Sequence, residues 1–173
     1  ANGLRTTAAH STLILADSNS TAIHSDGTLG RGVSEIALER QESEGSSRIE
    51  ASHDGYVRRY GLIHKRTLLL SGDGRELRGD DVLLPARAKQ KPMTSAFAIR
   101  FHLAPGTEAT PTADGMGALL RIERGALWQF RCRGGTLSIE ESLWVDGAAR
   151  PHNTVQLVVS GEASPGGASV GWM

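Results

Sequence analysis

The most constraining feature of this sequence is its rhythm. Apolar runs are short, alternate with polar residues, and are broken by Gly, Asp, Asn or Ser at intervals of about eight to twelve residues. Ser95–Leu103 shows the pattern best: Phe97, Ile99, Phe101 and Leu103 alternate with Ala96, Ala98, Arg100 and His102. In an extended chain this puts an apolar face opposite one bearing a cation and an imidazole. Helical spacing is weak throughout. The chain therefore predicts an all-β fold, a two-layered antiparallel β-sandwich. Strands are expected over Ser11–Ala16, Thr21–His24, Val33–Gln41, Arg48–Ser52, Tyr60–Ser71, Arg75–Leu84, Ser95–Leu103, Ala118–Arg124, Leu127–Arg133, Leu137–Glu141, Thr154–Ser160 and Ala168–Trp172. Ser71-Gly72-Asp73-Gly74 and Arg133-Gly134-Gly135 have the chemistry of hairpin turns. The segment Ser160–Ser169 reads as a surface loop.

At 173 residues the chain is expected to be one domain, residues 1–173, with an irregular polar lead-in over 1–9. Nineteen basic side chains balance nineteen acidic ones. That removes the electrostatic signature of a nucleic-acid or anionic-membrane binder, so neither partner is expected. The longest apolar stretch, Thr12–Ala16, is far short of the roughly 20 residues a membrane helix needs. Cys132 has no second cysteine to pair with, which excludes an internal disulfide and a thiolate metal cluster. It is expected to pack as a small apolar residue, since in a strand its side chain points away from those of Arg131 and Arg133. The loop Pro85–Pro92 gathers cations between two prolines and reads as a solvated connection.

No phosphate-binding P-loop is present and the Gly-x-Gly pieces do not open helices, which leaves the histidines as the main candidates for chemistry. An extended chain from His10 to Asp17 separates those two by roughly 23 Å, too far to share an ion. A hairpin turn at Asp17-Ser18-Asn19-Ser20 would instead bring Asp26 back beside His10. His64, on the same strand face as Leu62 and Arg66, would add a second imidazole, and two histidines with a carboxylate suit zinc. Structurally satisfied histidines are the alternative. In His53-Asp54-Gly55-Tyr56 an imidazole and a phenol are candidates for base and acid, against a turn held by side-chain hydrogen bonds. Arg100 and His102 line a polar face or are simply exposed. His24 and His152 read as surface residues.

Four stretches in this order and spacing form a recognisable pattern: Thr6-Thr7-Ala8-Ala9-His10-Ser11-Thr12-Leu13, Glu50-Ala51-Ser52-His53-Asp54-Gly55-Tyr56, Leu62-Ile63-His64-Lys65-Arg66, and Ile99-Arg100-Phe101-His102-Leu103-Ala104-Pro105-Gly106. Together they resemble the carboxyl-terminal domain of the heparinase II/III-like polysaccharide lyases. The resemblance implies a β-sandwich that packs against a helical toroid absent from this chain. An acidic, uronate-containing polysaccharide would lie in the cleft between them and be cleaved by β-elimination. It implies a cleft histidine, matched by His10, and a structural zinc site matched by His10 and His64 with Asp26 as the carboxylate. Arg100, His102, His53 and Tyr56 become candidate substrate contacts, and no organic cofactor is needed. The family's tyrosine acid/base belongs to the toroid, so Tyr56 is not assigned that role and the isolated chain is expected to be inactive. A periplasmic location follows from the resemblance alone, and an exposed sheet invites homodimer pairing. The competing readings are a non-catalytic carbohydrate-binding sandwich and a purely structural domain.

Overall fold

The structure, a computed structural model, describes residues 2–86 and 93–173. Among the described residues, twelve strands form two antiparallel sheets. The smaller sheet runs β1 (Leu13–Leu15), β6 (Ser95–His102), β11 (Pro151–Ala163), β10 (Thr136–Val145). The larger begins with the meander β2 (Ile36–Ser43), β3 (Ser46–His53), β4 (Leu62–Leu70), β5 (Leu77–Pro85). It continues through β12 (Ala168–Trp172) into β9 (Leu127–Arg133), β8 (Gly117–Ile122) and β7 (Thr107–Pro111). One helical turn, α1 (Val57–Tyr60), joins β3 to β4 and ends at Gly61, whose φ of 72° closes the turn in the left-handed region.

The alternation in β6 is realised as read. Phe97 and Ile99 are buried, and they meet Leu13, Leu15, Leu157 and Val159 from their own sheet and Leu83, Phe130 and Val170 from the other. Cys132 joins this core, and burial raises its thiol pKa against the opposing effect of Arg131. The Ser71–Gly74 turn does connect the paired strands β4 and β5.

Several expectations need correction. The Gly134–Gly135 turn is no hairpin, because β9 and β10 belong to different sheets. Gly134 has a φ of 90° and its missing Cβ leaves room for the Ser169 carbonyl, so the chain crosses between layers there. The Ser160–Ser169 loop shrinks to the turn Ser164–Gly167, since β11 extends to Ala163. Thr21–His24 forms no strand in either sheet and instead pairs locally with residues 28–31. β7 and α1 were not foreseen. Residues 2–9 fold into two short 3-10 turns, and most of the Pro85–Pro92 connection lies outside the described residues.

One glycine is set by packing. A Cβ on Gly79 would fall 2.1–2.6 Å from atoms of the Trp172 indole. The indole cannot withdraw easily, because its Nε1–H donates to the Asp81 carboxylate at 2.9 Å and its ring stands edge-on to Phe101 at 4.8 Å. Gly79→Ala is expected to cost about 1–3 kcal/mol by overpacking, read as a lower urea midpoint. An unchanged midpoint would show that the indole has somewhere to go.

Candidate functional site

The register of β3, β4, β5 and β12 lines up a set of polar side chains on the inner face of the larger sheet. His53 lies directly across from His64, and Arg66 directly across from Asp81. Asp81 is 1% exposed, yet its carboxylate accepts four hydrogen bonds. They come from His64 Nε2 at 2.7 Å, Arg66 Nε at 2.8 Å and Nη2 at 2.9 Å, and Trp172 Nε1. Burial alone would raise its pKa. The hydrogen bonds from His64 and Arg66, with the guanidinium charge, outweigh that and hold it below the ordinary carboxylate range. Arg66 also donates to the Ser11 carbonyl and lies over the rings of Trp172 and Phe101.

The hydrogen-bond pattern assigns the tautomers. Gly55 N–H donates to His53 Nδ1, so the proton of a neutral His53 sits on Nε2. That Nε2 lies 3.3 Å from His64 Nδ1, which must then accept, leaving the His64 proton on Nε2 to face Asp81. Gly55, His53, His64 and Asp81 thus form one directional chain in which both nitrogens of each imidazole are committed. Such a chain fixes side chains; it leaves no free base.

Burial, and then the neighbouring His64, push the His53 pKa down to about 4. A histidine whose folded pKa is depressed stabilises the fold above its unfolded value, roughly 6.5. That stability is lost as pH falls from there toward 4. Between pH 7 and pH 5 the loss is expected to reach about 1 kcal/mol after discounting for solvent screening of a half-buried ring. Urea titrations at the two pH values measure it, and His53→Gln should flatten the difference. An equal difference in that variant would assign the pH dependence to other groups.

Beyond His53 the chain turns outward into a cleft. One wall is Asn19, Ser20 and the run Gly30–Ser34; the other is Asp54, Gly55 and Val57–Arg59. Its volume is about 640 Å³, and Arg31, Arg58 and Arg59 all line it. The walls are pinned together at Asp54, whose carboxylate accepts from the backbone N–H groups of Ser34 at 2.8 Å and Glu35 at 3.0 Å and from the Ser34 hydroxyl. Desolvation raises the Asp54 pKa, but these donors prevail and lower it. Arg31 is held by its backbone. Ala22 N–H donates to the Arg31 carbonyl, Gly30 N–H to Ala22, and Val33 N–H to the Thr21 hydroxyl. At Gly32 the backbone runs so close to Thr21 that a Cβ would sit 2.2 Å from its Cα.

The expected metal set does not assemble in this form. After β1 the chain does not return alongside it; β1 pairs with β6 instead. Asp26 sits at the tip of a separate loop, its carboxylate taken by the N–H and hydroxyl of Thr28, and His10 is exposed before β1. His64 is committed to Asp81 and His53. Among the described residues no three of His, Cys, Asp and Glu are grouped to hold a metal ion. The residues therefore do not fit a three-ligand zinc site as spaced. Tyr56 is 1% exposed and its hydroxyl donates to the Leu13 carbonyl, which places it in the core rather than on a substrate-facing surface.

Arg100 and His102 lie on the outer face of the smaller sheet, away from the residues that line the cleft. His102 bridges the Ala8 carbonyl and the Ser142 hydroxyl, and Arg100 reaches Gln156 and Glu140 while its buried Nε has no partner. Asp81 and the three cleft arginines were missed by sequence reasoning. The adjacent pair Asp80-Asp81 must place one carboxylate on each face of β5, which was the available signal.

A family profile described as Heparinase II/III-like, C-terminal, matches residues 1–173. FtsZ-localized protein C of Caulobacter vibrioides is 30% identical over 181 aligned positions, covering 91% of this chain. The chain spans 31% of that relative's length. Among solved structures, a heparinase III superposes with a TM-score of 0.75 at 13% identity, covering 97% of this chain and 24% of the other. The heparan sulfate lyase HepC of Pedobacter heparinus gives 0.77 at 14% identity, covering 99% and 24%. At these identities the superpositions speak for the fold, a two-layered β-sandwich. The profile match over the whole length settles membership: this chain belongs to the heparinase II/III-like C-terminal domain family.

Proposed function

We propose that this chain is the sandwich domain of a larger protein that cleaves a uronate-containing polysaccharide by β-elimination, with the sandwich forming one wall of the substrate cleft. The observation that carries the reading is an uncovered wing of the larger sheet. Eight strands face four, and the overhang is β2 and β3. Ile36 and Leu38 stand opposite His53 and Ala51, which stand opposite His64 and Arg66, so all share the inner face. Yet Ile36 is 74% and Leu38 68% exposed. An apolar inner face of this kind is a seat for a packed neighbour. The solved lyases are about four times as long as this chain, which supports the remainder of the protein, a helical domain, as the occupant. A second copy of the sandwich is the competing occupant.

In this reading the reaction abstracts the C5 proton of the uronate, neutralises its carboxylate and protonates the departing C4 oxygen. The sandwich contributes cations to the wall and His10 as its candidate for proton transfer, while the remaining acid/base groups come from the preceding domain. No step is assigned to zinc. The longer protein, incubated with heparan sulfate and other uronate polymers, is expected to generate the ultraviolet absorbance of the C4–C5 double bond. Folded protein giving no absorbance on any of them would overturn the assignment.

The curated relative supports a second reading. It is 30% identical to this chain, against 13–14% for the lyases, and its name places it with FtsZ. In that reading the sandwich is a docking module. Co-sedimentation of the longer protein with FtsZ polymers, in the absence of lyase activity, would favour it.

A further inference from the structure

We propose that the cleft between Gly30–Ser34 and Val57–Arg59 is a clamp for the acidic groups of an anionic oligosaccharide, with Arg31 and Arg59 as its primary contacts. The proposal rests on the polysaccharide reading above and names the residues that serve it. Three guanidiniums line the cleft against one carboxylate, Asp54. Its oxygens accept from the Ser34 and Glu35 backbone N–H groups and the Ser34 hydroxyl, and neither is bonded to Arg31 or Arg59. Neither Arg31 nor Arg59 has an acidic partner among the described residues, in contrast to Arg40, Arg48, Arg66, Arg78, Arg131 and Arg150. Two uncompensated cations facing one concavity repel each other, and an anion relieves that repulsion.

The chemistry of the walls favours a sugar over a simple ion. A guanidinium offers a planar fork that matches carboxylate or sulfate oxygens in pairs. The Asn19 amide and the Ser20 hydroxyl line the same cleft, polar groups suited to ring hydroxyls. A volume of about 640 Å³ lies within the range of small-ligand sites, far larger than one sulfate needs.

The two walls are also independently fixed. Arg31 rides on a backbone locked against Thr21 and Ala22, and Arg59 on α1, which ends at Gly61 and whose Tyr60 hydroxyl bonds the Ser18 hydroxyl at 2.7 Å. Binding therefore needs ordering of side chains alone. The cleft adjoins the wing as well, since Val33 and Ser34 lead into β2. A glycan held here would run along the edge where the preceding domain is proposed to pack.

The test is calorimetric titration of the 173-residue chain with a heparin-derived hexasaccharide at low salt. Arg31→Gln/Arg59→Gln is compared with Arg133→Gln, a cation outside the cleft. The double variant is expected to weaken binding at least tenfold and to reduce its salt dependence, while Arg133→Gln binds as the parent does and all three melt alike. Equal binding by the double variant would overturn the clamp and leave the polysaccharide reading standing. Polyglutamate binding more tightly than the hexasaccharide would overturn it in favour of an acidic peptide, and inorganic sulfate matching the hexasaccharide in affinity would reduce it to a simple anion site. A parent that binds none of these overturns the clamp, and if the longer protein is also inactive on uronate polymers, the polysaccharide reading falls with it.

Discussion

Asp81→Ala is expected to lower the stability of this chain by about 3–5 kcal/mol. The carboxylate is the single acceptor on which β4, β5 and β12 converge: His64 and Arg66 reach it from one side and Trp172 from the other. Its removal leaves a guanidinium, an imidazole N–H and an indole N–H without their partner in a nearly dry interior. Breaking a buried pair by deleting one member is costly for that reason, whereas replacing both members by apolar groups is often tolerated. Asp81→Leu combined with Arg66→Met should therefore recover much of what Asp81→Ala loses. Asp81→Asn, with one acceptor oxygen instead of two, should fall between. Because the folded pKa is depressed, the stabilisation is present above the unfolded value of about 3.8 and disappears as pH drops through the folded one. Urea titration at neutral pH measures the series. A loss below about 1 kcal/mol in Asp81→Ala would show that water or a neighbouring acceptor already serves these donors.

Much of the architecture was legible because a half-buried strand writes its burial into alternation. Leu127–Arg133 and Ala168–Trp172 match their strands end to end, and Ser95–Leu103 differs from β6 by one residue. β7 escaped because Thr107–Pro111 is a polar segment at the sheet edge, with no residue buried enough to leave a pattern. β10 and β11 run longer than read: the end of β10 with exposed Leu143 and Trp144 and the exposed start of β11 at Pro151–Asn153 pair beyond the core, while β11 also continues to buried Ala163 beside β6.

The site was harder, and the reason is phase. In β5 the run Asp80-Asp81-Val82-Leu83-Leu84 alternates equally well in either register. Only the fold decides that Asp81 and Leu83 turn inward while Leu84 is 39% exposed. His64 was correctly placed with Leu62 and Arg66, but its partners come from β3 and β5, whose pairing no local motif encodes. The metal set failed at a similar point. It required β1 to fold back on the next segment, and three apolar residues, Leu13–Leu15, were instead claimed by β6 and the core.

Tyr56 shows how a motif can carry structure where chemistry was expected. β1 is three residues long and uses alternate backbone groups to pair with β6, so the carbonyls of Leu13 and Leu15 point to its free edge. Ser18 N–H serves Leu15, and the Tyr56 hydroxyl serves Leu13 at 3.0 Å. The ring fills the core between His53 and Tyr60, with centroids 5.5 and 6.4 Å away. Burial pushes its phenol pKa up, the direction that keeps it protonated as a donor. Tyr56→Ala is therefore expected to cost about 3–5 kcal/mol, the range for emptying a buried aromatic site. Tyr56→Phe keeps the ring and loses one hydrogen bond, about 1 kcal/mol. Thermal melts of both variants test the stability difference. Activity in the longer protein separates the roles: Tyr56→Phe should retain elimination in proportion to its folded fraction, because the hydroxyl faces a strand edge and not the cleft. A Tyr56→Phe protein that melts like the parent yet eliminates no glycan would show that the phenol meets substrate after all.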